Sequence, residues 1–295
     1  MNKHDAEVQK IINNAQEVSL NDLPKYSPWP SRMIGLSKWE RGERTPKDVE
    51  REYEKEKYQP VLEIVSKNTN IRFPHDLPPV LTQGKEKCVY SVEGIFKLFS
   101  WKEAFFIDNA VTADCLKPYL PAPAIVDLGA GFGTTSLALA SMPEFATIPI
   151  YALEKMQSGQ KIIDILAERT NTKVITGECD LFSDRLTTKK IPKGSIIIIT
   201  SVLTVIHHPI EKIVKAILRY QPKIVLFFEP FYSNFNTDTL YGQLCAKYME
   251  INKYNIVFDS ELKKLNGDLI NIVYEKKNYF GNNPFFPKTI LAWQP

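Results

Sequence analysis

The pattern of apolar and polar positions changes near residue 121. Up to about residue 120, charged and aromatic residues alternate at helical spacing, and runs of β-branched residues are few. This texture predicts helices and loops, including one or two helices over residues 89–120. From Pro121 onward, short β-branched runs alternate with amphipathic segments. The chain therefore divides into an N-terminal helical region, residues 1–120, that caps the substrate side, and an α/β domain, residues 121–295.

Strand and helix patterns in the second part follow each other in strict alternation. The predicted strands are AIVDL (124–128), IPIYAL (148–153), KVIT (173–176), SIIIIT (195–200) and KIVLFF (223–228). Helical patterns lie between them at residues 135–140, 158–169 and 211–219. Successive strands with crossover helices predict a doubly wound, mainly parallel sheet.

Two further strand patterns close the chain. They are INIVYE (270–275) and TILAW (289–293), and the connection between them is too short to hold a crossover helix. Parallel neighbours require such a crossover, so these two strands should pair antiparallel. The predicted sheet is thus seven-stranded, with an antiparallel terminal pair.

The first strand of the α/β domain runs into a glycine-rich turn, IVDLGAGFGTTSLALA (125–140). Asp127 is followed by Gly129, Gly131 and Gly133, and a helix pattern starts after them. Glycine allows a sharp turn and a close approach of the backbone to a ligand, and the amides at the helix start face the bound molecule. A dinucleotide fingerprint would require a third glycine at position 134, which is threonine, and this disfavours a nicotinamide cofactor.

The acid two residues before a GxGxG turn, together with the terminal antiparallel pair, resembles the class I, Rossmann-like methyltransferases that depend on S-adenosylmethionine. The resemblance covers roughly residues 120–295. It implies S-adenosylmethionine as cofactor, S-adenosylhomocysteine as product, and a glycine turn against the methionine part. Glu154 ends the second strand, where a carboxylate accepts hydrogen bonds from both ribose hydroxyls. Near the adenine the resemblance favours Asp180, with Glu178 as the alternative.

Candidate catalytic and substrate residues follow the fourth and fifth strands. His207 and His208 come after the fourth strand, and an imidazole with a pKa of about 6.5 can act as a general base near neutral pH. A packing or helix-capping role for this histidine pair is the alternative. Glu229 ends the fifth strand, where open α/β sheets expose functional groups, and is a candidate substrate contact with a structural acid as the alternative. Tyr232 is a further candidate substrate contact, because residues 231–264 are long for a simple crossover and such insertions in this family shape the substrate site.

Composition narrows the function classes. The net charge is +3, from 37 basic and 34 acidic residues, which argues against nucleic-acid binding through phosphates. The four cysteines are far apart, without the spacing of a metal site or a disulfide scaffold. No signal peptide or membrane span is predicted, so we expect a cytoplasmic protein without a metal.

The expected function is methyl transfer from S-adenosylmethionine to a small-molecule or peptide-metabolite acceptor, at oxygen, nitrogen or carbon. Two alternatives are an RNA methyltransferase and a non-catalytic cofactor-binding subunit. The tetrad Asn283-Pro284-Phe285-Phe286 spells an amino-methyltransferase motif, but that motif belongs after the fourth strand. Adenine or cytosine N-methylation is therefore disfavoured. The sequence does not define an oligomeric state.

Overall fold

The computed structural model describes residues 3–42, 45–77, 86–281 and 283–295. The helices are α1 (Lys3–Asn14), α2 (Leu23–Tyr26), α3 (Trp29–Met33), α4 (Pro46–Glu50), α5 (Gln59–Lys67), α6 (Trp101–Leu116), α7 (Thr134–Ser141), α8 (Gln157–Thr170), α9 (Ile210–Leu218), α10 (Leu240–Ile251) and α11 (Phe258–Lys264). The strands are β1 (Lys87–Val92), β2 (Ile95–Ser100), β3 (Ile125–Leu128), β4 (Ile150–Leu153), β5 (Val174–Gly177), β6 (Ile196–Thr200), β7 (Ile224–Glu229), β8 (Asn271–Gly281) and β9 (Pro287–Gln294).

The strands form one mixed sheet in the order β2-β1-β8-β9-β7-β6-β3-β4-β5. Strands β3 to β7 are parallel, and β9 lies antiparallel between β7 and β8. The predicted α/β class and the antiparallel terminal pair are confirmed. Because the last strand inserts beside the fifth parallel strand, the sheet has the arrangement of the class I methyltransferase fold.

The sheet has nine strands in the described part of the chain, not seven, because β1 and β2 join it. The prediction of helix from residue 89 was wrong for residues 89–100. These residues form an antiparallel hairpin with a two-residue turn at Glu93 and Gly94, whose φ angles are 49° and 88°. Positive φ at both central residues is the geometry of the turns that join twisted hairpin strands. Only the following helix, α6, was predicted correctly, and it begins at a capping box between Ser100 and Glu103.

Helix α4 begins with Thr45 as N-cap, Pro46 in the first turn and a capping box to Asp48. It continues through a π-helical segment, Arg51–Tyr58, into α5. We call residues 46–67 the N-terminal arm. The arm packs on α8, where Glu54 accepts hydrogen bonds from both the amide and the hydroxyl of Ser158 at 3.1 and 2.6 Å. These contacts place the arm over the glycine turn.

The parallel strands are covered on both faces, which explains their near-continuous apolar sequence. Along β6, Ile197 and Ile199 face one hydrophobic core, while Ile196 and Ile198 face the other. The strand side chains therefore form no polar face within the sheet. Polar groups that could contact a ligand lie at the strand ends. Within the described residues, no helix combines the length and the apolar character needed to cross a bilayer.

Candidate active site

A cavity of about 700 Å³ opens at the carboxyl ends of the parallel strands, beneath the N-terminal arm. Its lining includes Gly129 after β3, Glu154 after β4, Cys179 after β5 and Ser201 after β6. Open α/β sheets bind their ligands at this edge, and the volume is within the 300–1,000 Å³ typical of ligand pockets. The cavity is thus the candidate site.

The glycine turn is held against β4, and each of its three glycines has a different surrounding. The amides of Gly129 and Ala130 donate to the carbonyl of Leu153 at 2.8 and 3.0 Å. A Cβ on Gly129, at φ 79°, would lie 2.6 Å from the side chain of Val202. Gly131, at φ 59°, faces the cavity. Gly133 does not line the cavity; it packs against Ile163 and makes room for the helix.

Glu154 is 6% exposed and joins the turn to the start of α8. Its carboxylate accepts hydrogen bonds from the amides of Gly131 at 2.8 Å and Met156 at 2.9 Å. Burial raises the pKa of Glu154 to about 7, although these amide hydrogen bonds lower it. The carboxylate lines the cavity with lone pairs to spare, which suits it to accept hydrogen bonds from a ligand's hydroxyls.

Asp127 lies deeper and is 2% exposed. Its Oδ2 accepts a hydrogen bond from the hydroxyl of Ser136 at 2.6 Å. Burial raises the pKa of Asp127 to about 6, and the Ser136 hydrogen bond opposes this rise. Asp127 therefore ties the end of β3 to α7 and borders the cavity at the same time.

Tyr58 and Gly159 shape the site and were missed by the sequence analysis. The hydroxyl of Tyr58 lies 3.1 Å from the position a Cβ on Gly131 would take. A Cβ on Gly159 would lie 2.6 Å from the carbonyl oxygen of Gly131 and 2.9 Å from Cγ of Glu154. A glycine inside a helix pattern signals such close approach. Tyr58 carried no comparable signal, because it belongs to an ordinary charged helix pattern.

The two candidate adenine acids differ in position. Glu178 is exposed, and Asp180 is half-buried. Oδ1 of Asp180 accepts a hydrogen bond from the amide of Phe182 at 3.0 Å and lies 3.4 Å from Nζ of Lys155. Neither acid lines the cavity, whereas Phe182 and Lys155 do. Asp180 therefore fixes the loop that borders the cavity.

The histidine pair lies outside the cavity lining. His207 is exposed and its Nε2 is 3.0 Å from the carbonyl of Lys253. The ring of His208 packs edge-on against Phe182, and burial lowers its pKa. Both rings are engaged with the protein outside the cavity lining, and a general-base role for His207 or His208 stays a prediction. This placement supports the packing alternative.

Glu229 and Tyr232 also lie outside the lining, and their role as substrate contacts stays a prediction. Glu229 is fully buried and accepts hydrogen bonds from the amides of Val202 and Leu203 at 2.5 and 2.9 Å. It thereby holds the loop after β6. The Tyr232 hydroxyl donates to Glu250 at the protein surface. No residue of 231–264 lines the cavity, so the long segment after β7 does not shape it.

The far side of the cavity is built by elements outside the parallel sheet. Its walls are Tyr90 of β1, Phe280 of β8, and Trp101, Phe105 and Asp108 of α6. Residues 1–120 were predicted to be a helical region that caps the substrate side. Within this region, the hairpin and α6 supply a wall of the cavity.

The Asn-Pro-Phe-Phe tetrad lies between β8 and β9, away from the cavity lining. The amide nitrogen of Asn283 donates to the hydroxyl of Tyr248 at 2.9 Å, and Phe285 is fully buried. The role of the tetrad is therefore packing and turn formation. The described residues contain no group of three histidine, cysteine or acidic side chains that could hold a metal ion.

The strand order of the sheet is that of the class I methyltransferase fold. The chain resembles the methyltransferase domain of bacterial CtHen1, with 14% identity and a TM-score of 0.45 over 64% of this chain and 97% of that one. It also resembles an Aquifex aeolicus SAM-dependent methyltransferase, with 10% identity and a TM-score of 0.42 over 62% of this chain and 89% of that one.

A third similar structure is the Pyrococcus abyssi tRNA (uracil-54, C5)-methyltransferase in complex with S-adenosyl-L-homocysteine. Its identity is 15% and its TM-score 0.37, over 71% of this chain and 45% of that one. Because these TM-scores are below 0.5, the fold assignment rests on the strand order of the sheet. Comparisons with protein-family models and with curated proteins find no match.

Proposed function

We propose that this protein is an S-adenosylmethionine-dependent methyltransferase whose acceptor is a small molecule or a peptide metabolite. The observation that carries the proposal is the convergence of three groups on one cavity at the carboxyl edge of the sheet. These are the Gly131 turn, the Glu154 carboxylate, and Thr200 and Ser201 at the end of β6. A site of this kind matches a cofactor that has hydroxyls at one end. An uncharged methyl acceptor would lie beyond the other end of the cofactor.

The residues around the cavity fit the cofactor. Glu154 would accept the ribose hydroxyls, and the turn from Gly129 to Gly131 would lie against the methionine part. Asp127 would support the turn from below. Asp180 would hold the loop carrying Phe182, whose ring borders the cavity together with Lys155 at a cation–π distance of 5.3 Å. This is the pair that we assign to the adenine end.

Methyl transfer requires little catalytic assistance from the side chains. The sulfonium of S-adenosylmethionine supplies an already activated methyl group. What this chain contributes is the alignment of acceptor and cofactor, which is worth several kcal/mol when both are held in line. The N-terminal arm excludes water from above, since Tyr53 and Tyr58 pack edge-to-face at 5.7 Å over the cavity. A positioning mechanism therefore suffices without His207 or His208.

The charges of the lining favour a small acceptor over RNA. Among the described residues that line the cavity, the acids are Glu56, Asp108, Asp127 and Glu154, and the bases are Lys57 and Lys155. A site that tracks phosphates is expected to be basic. The excess of acids at this cavity argues for an acceptor without phosphate.

Turnover tests the proposal. The protein is incubated with S-adenosylmethionine and fractions of a metabolite extract, and release of S-adenosylhomocysteine is measured. We expect at least one fraction to stimulate release. Gly131→Val serves as the site control, because its side chain would enter the space between the backbone and the ligand at a φ that valine rarely adopts.

Stimulation that persists unchanged in folded Gly131→Val would contradict the proposed site. Tight binding of S-adenosylhomocysteine without turnover on any fraction would instead identify a non-catalytic cofactor-binding subunit.

A further inference from the structure

The cavity extends beyond the cofactor residues into a part that we call the acceptor compartment, defined by Tyr90, Trp101, Phe105, Asp108 and Phe280. It is built from β1, β8 and α6, whereas the residues assigned to the cofactor follow β3, β4 and β5. The two parts therefore face each other across the edge of the sheet. A molecule in the compartment would lie beside the cofactor.

Aromatic rings form two walls of the compartment. Tyr90 and Phe280 are stacked, with ring centroids 5.6 Å apart and planes 9° from parallel. Trp101 and Phe105 form the second pair on α6, with centroids 6.0 Å apart. All four rings line the cavity, so a flat guest there would gain apolar burial and ring contacts.

Asp108 is the charged group of this compartment and is held from behind. Lys288, which is 0% exposed, forms an ion pair with its carboxylate. The hydroxyl of Tyr279 donates to Oδ1 of Asp108 at 3.2 Å. Neither Lys288 nor Tyr279 lines the cavity, whereas Asp108 does. The pair thus presents a fixed acceptor of hydrogen bonds to the cavity and keeps its counter-ion out of reach.

Thr200 and Ser201, at the end of β6, mark the boundary between the two parts. Both residues line the cavity, and their side-chain oxygens are buried without a hydrogen-bond partner. Ser201 has a φ of 55°, a strained value for a residue other than glycine. Strain of this kind is concentrated at functional sites.

We infer that the acceptor compartment binds a flat aromatic molecule that carries a neutral O–H or N–H group, with that group donating to Asp108, and that it excludes aromatic anions. The inference rests on the proposed function. A carboxylate or phosphate on the guest would face the Asp108 carboxylate, whereas a neutral donor would form a charge-assisted hydrogen bond. Asp108 acts here as a binding residue that orients the acceptor.

Two naphthalene probes test this, each titrated at pH 7 into protein saturated with S-adenosylhomocysteine. 2-Naphthol carries the neutral O–H, and 2-naphthoate carries an anion on the same ring system. We expect 2-naphthol to bind at least tenfold more tightly, since a charge-assisted hydrogen bond contributes about 1.5 to 3 kcal/mol. Equal binding of the two probes, or tighter binding of 2-naphthoate, would overturn the inference.

Variants assign the preference to Asp108. Asp108→Asn should abolish the discrimination between the probes, and Asp114→Asn is the matched control, because Asp114 lies on the same helix, pairs with Lys117 and does not line this cavity. Asp108→Asn leaves Lys288 without its counter-ion and can unfold the protein. The double variant Asp108→Asn, Lys288→Met removes both charges and should also abolish discrimination. Discrimination that persists in either folded variant would overturn the assignment.

Failure of the proposed function is seen separately. If S-adenosylhomocysteine itself does not bind, the proposed function falls, and the inference falls with it. If it binds while neither naphthalene probe does, the aromatic acceptor is wrong and the proposed function stands.

Discussion

Replacing the buried carboxylate of Glu229 separates a structural role from a substrate role. Glu229 accepts hydrogen bonds from the amides of Val202 and Leu203 through Oε1, and from the hydroxyl and the amide of Thr204 through Oε2 at 3.2 and 3.4 Å. Glu229→Gln keeps one carbonyl oxygen for the amides of Val202 and Leu203, and its amide nitrogen can donate to the Thr204 hydroxyl, so that only the long bond from the Thr204 amide is lost. Glu229→Ala removes every acceptor.

The two variants should differ widely in stability. Loss of the acceptors for two buried amides costs about 1 to 3 kcal/mol each. Glu229→Ala should therefore lower the free energy of unfolding by about 3 to 5 kcal/mol and the Tm by about 10 °C. Glu229→Gln should stay within about 1 kcal/mol of the wild type near pH 7.

The pH dependence gives a second test. Burial raises the pKa of Glu229 to about 7 from the ordinary 4.5, and the backbone amides oppose this rise. The folded protein holds this proton to higher pH than the unfolded chain. The stability contributed by the neutral carboxyl is therefore present at low pH and lost as the pH rises towards 7. Between pH 5.5 and 8 the wild type should lose about 2 kcal/mol relative to Glu229→Gln.

Urea unfolding of the three proteins across this pH range measures both effects. A Glu229→Gln variant as unstable as Glu229→Ala would refute the reasoning, because it would require the charge itself to hold the loop. A wild-type curve parallel to that of Glu229→Gln would refute the raised pKa.

The other predictions concern the cavity. His207→Gln and His208→Gln should each change the single-turnover rate less than about threefold, because neither ring lines the cavity. A loss above about a hundredfold would show that the histidine acts as a general base. Tyr58→Ala should speed dissociation of S-adenosylhomocysteine at least fivefold in stopped-flow chase, since the ring covers the turn; unchanged or slower dissociation would contradict a covering role. Gly159→Ala should weaken the same ligand by at least tenfold in calorimetry, because its Cβ would displace the Gly131 carbonyl; wild-type affinity would show that the turn tolerates the shift. Affinity should rise with pH up to about 7 as Glu154 ionises and then level off, and Glu154→Gln should lack the rise; the same rise in that variant would assign it elsewhere.

The sequence was sufficient to predict the parallel part of the fold because strand burial there is complete and repetitive. The five predicted parallel strands begin and end within two residues of their observed bounds, whereas β8 extends six residues beyond its predicted end. The hairpin formed by β1 and β2 was missed because its aromatic residues also suit a helix. The decisive signal was the Glu93-Gly94 dipeptide between two alternating runs, which is typical of a two-residue turn.

The site could be predicted only where a residue's place in a motif sets its position. Gly131 and Glu154 follow strand ends and line the cavity as predicted. Their roles toward the cofactor stay predictions. Asp108 could not be found, because its importance depends on Lys288, 180 residues away in sequence and buried beneath it. The histidine pair shows the opposite case, in which a reactive residue type near a strand end turns away from the cavity.

Calorimetric titration of the wild-type protein with S-adenosylhomocysteine, and separately with NAD, tests whether the cavity binds the methyl-donor cofactor. We expect S-adenosylhomocysteine to bind with a Kd in the micromolar range or tighter, about −8 kcal/mol or better, and NAD not to bind. Glu154→Ala should weaken this binding by about 2 to 4 kcal/mol through loss of charge-assisted hydrogen bonds. Binding of NAD without binding of S-adenosylhomocysteine or S-adenosylmethionine would contradict the account.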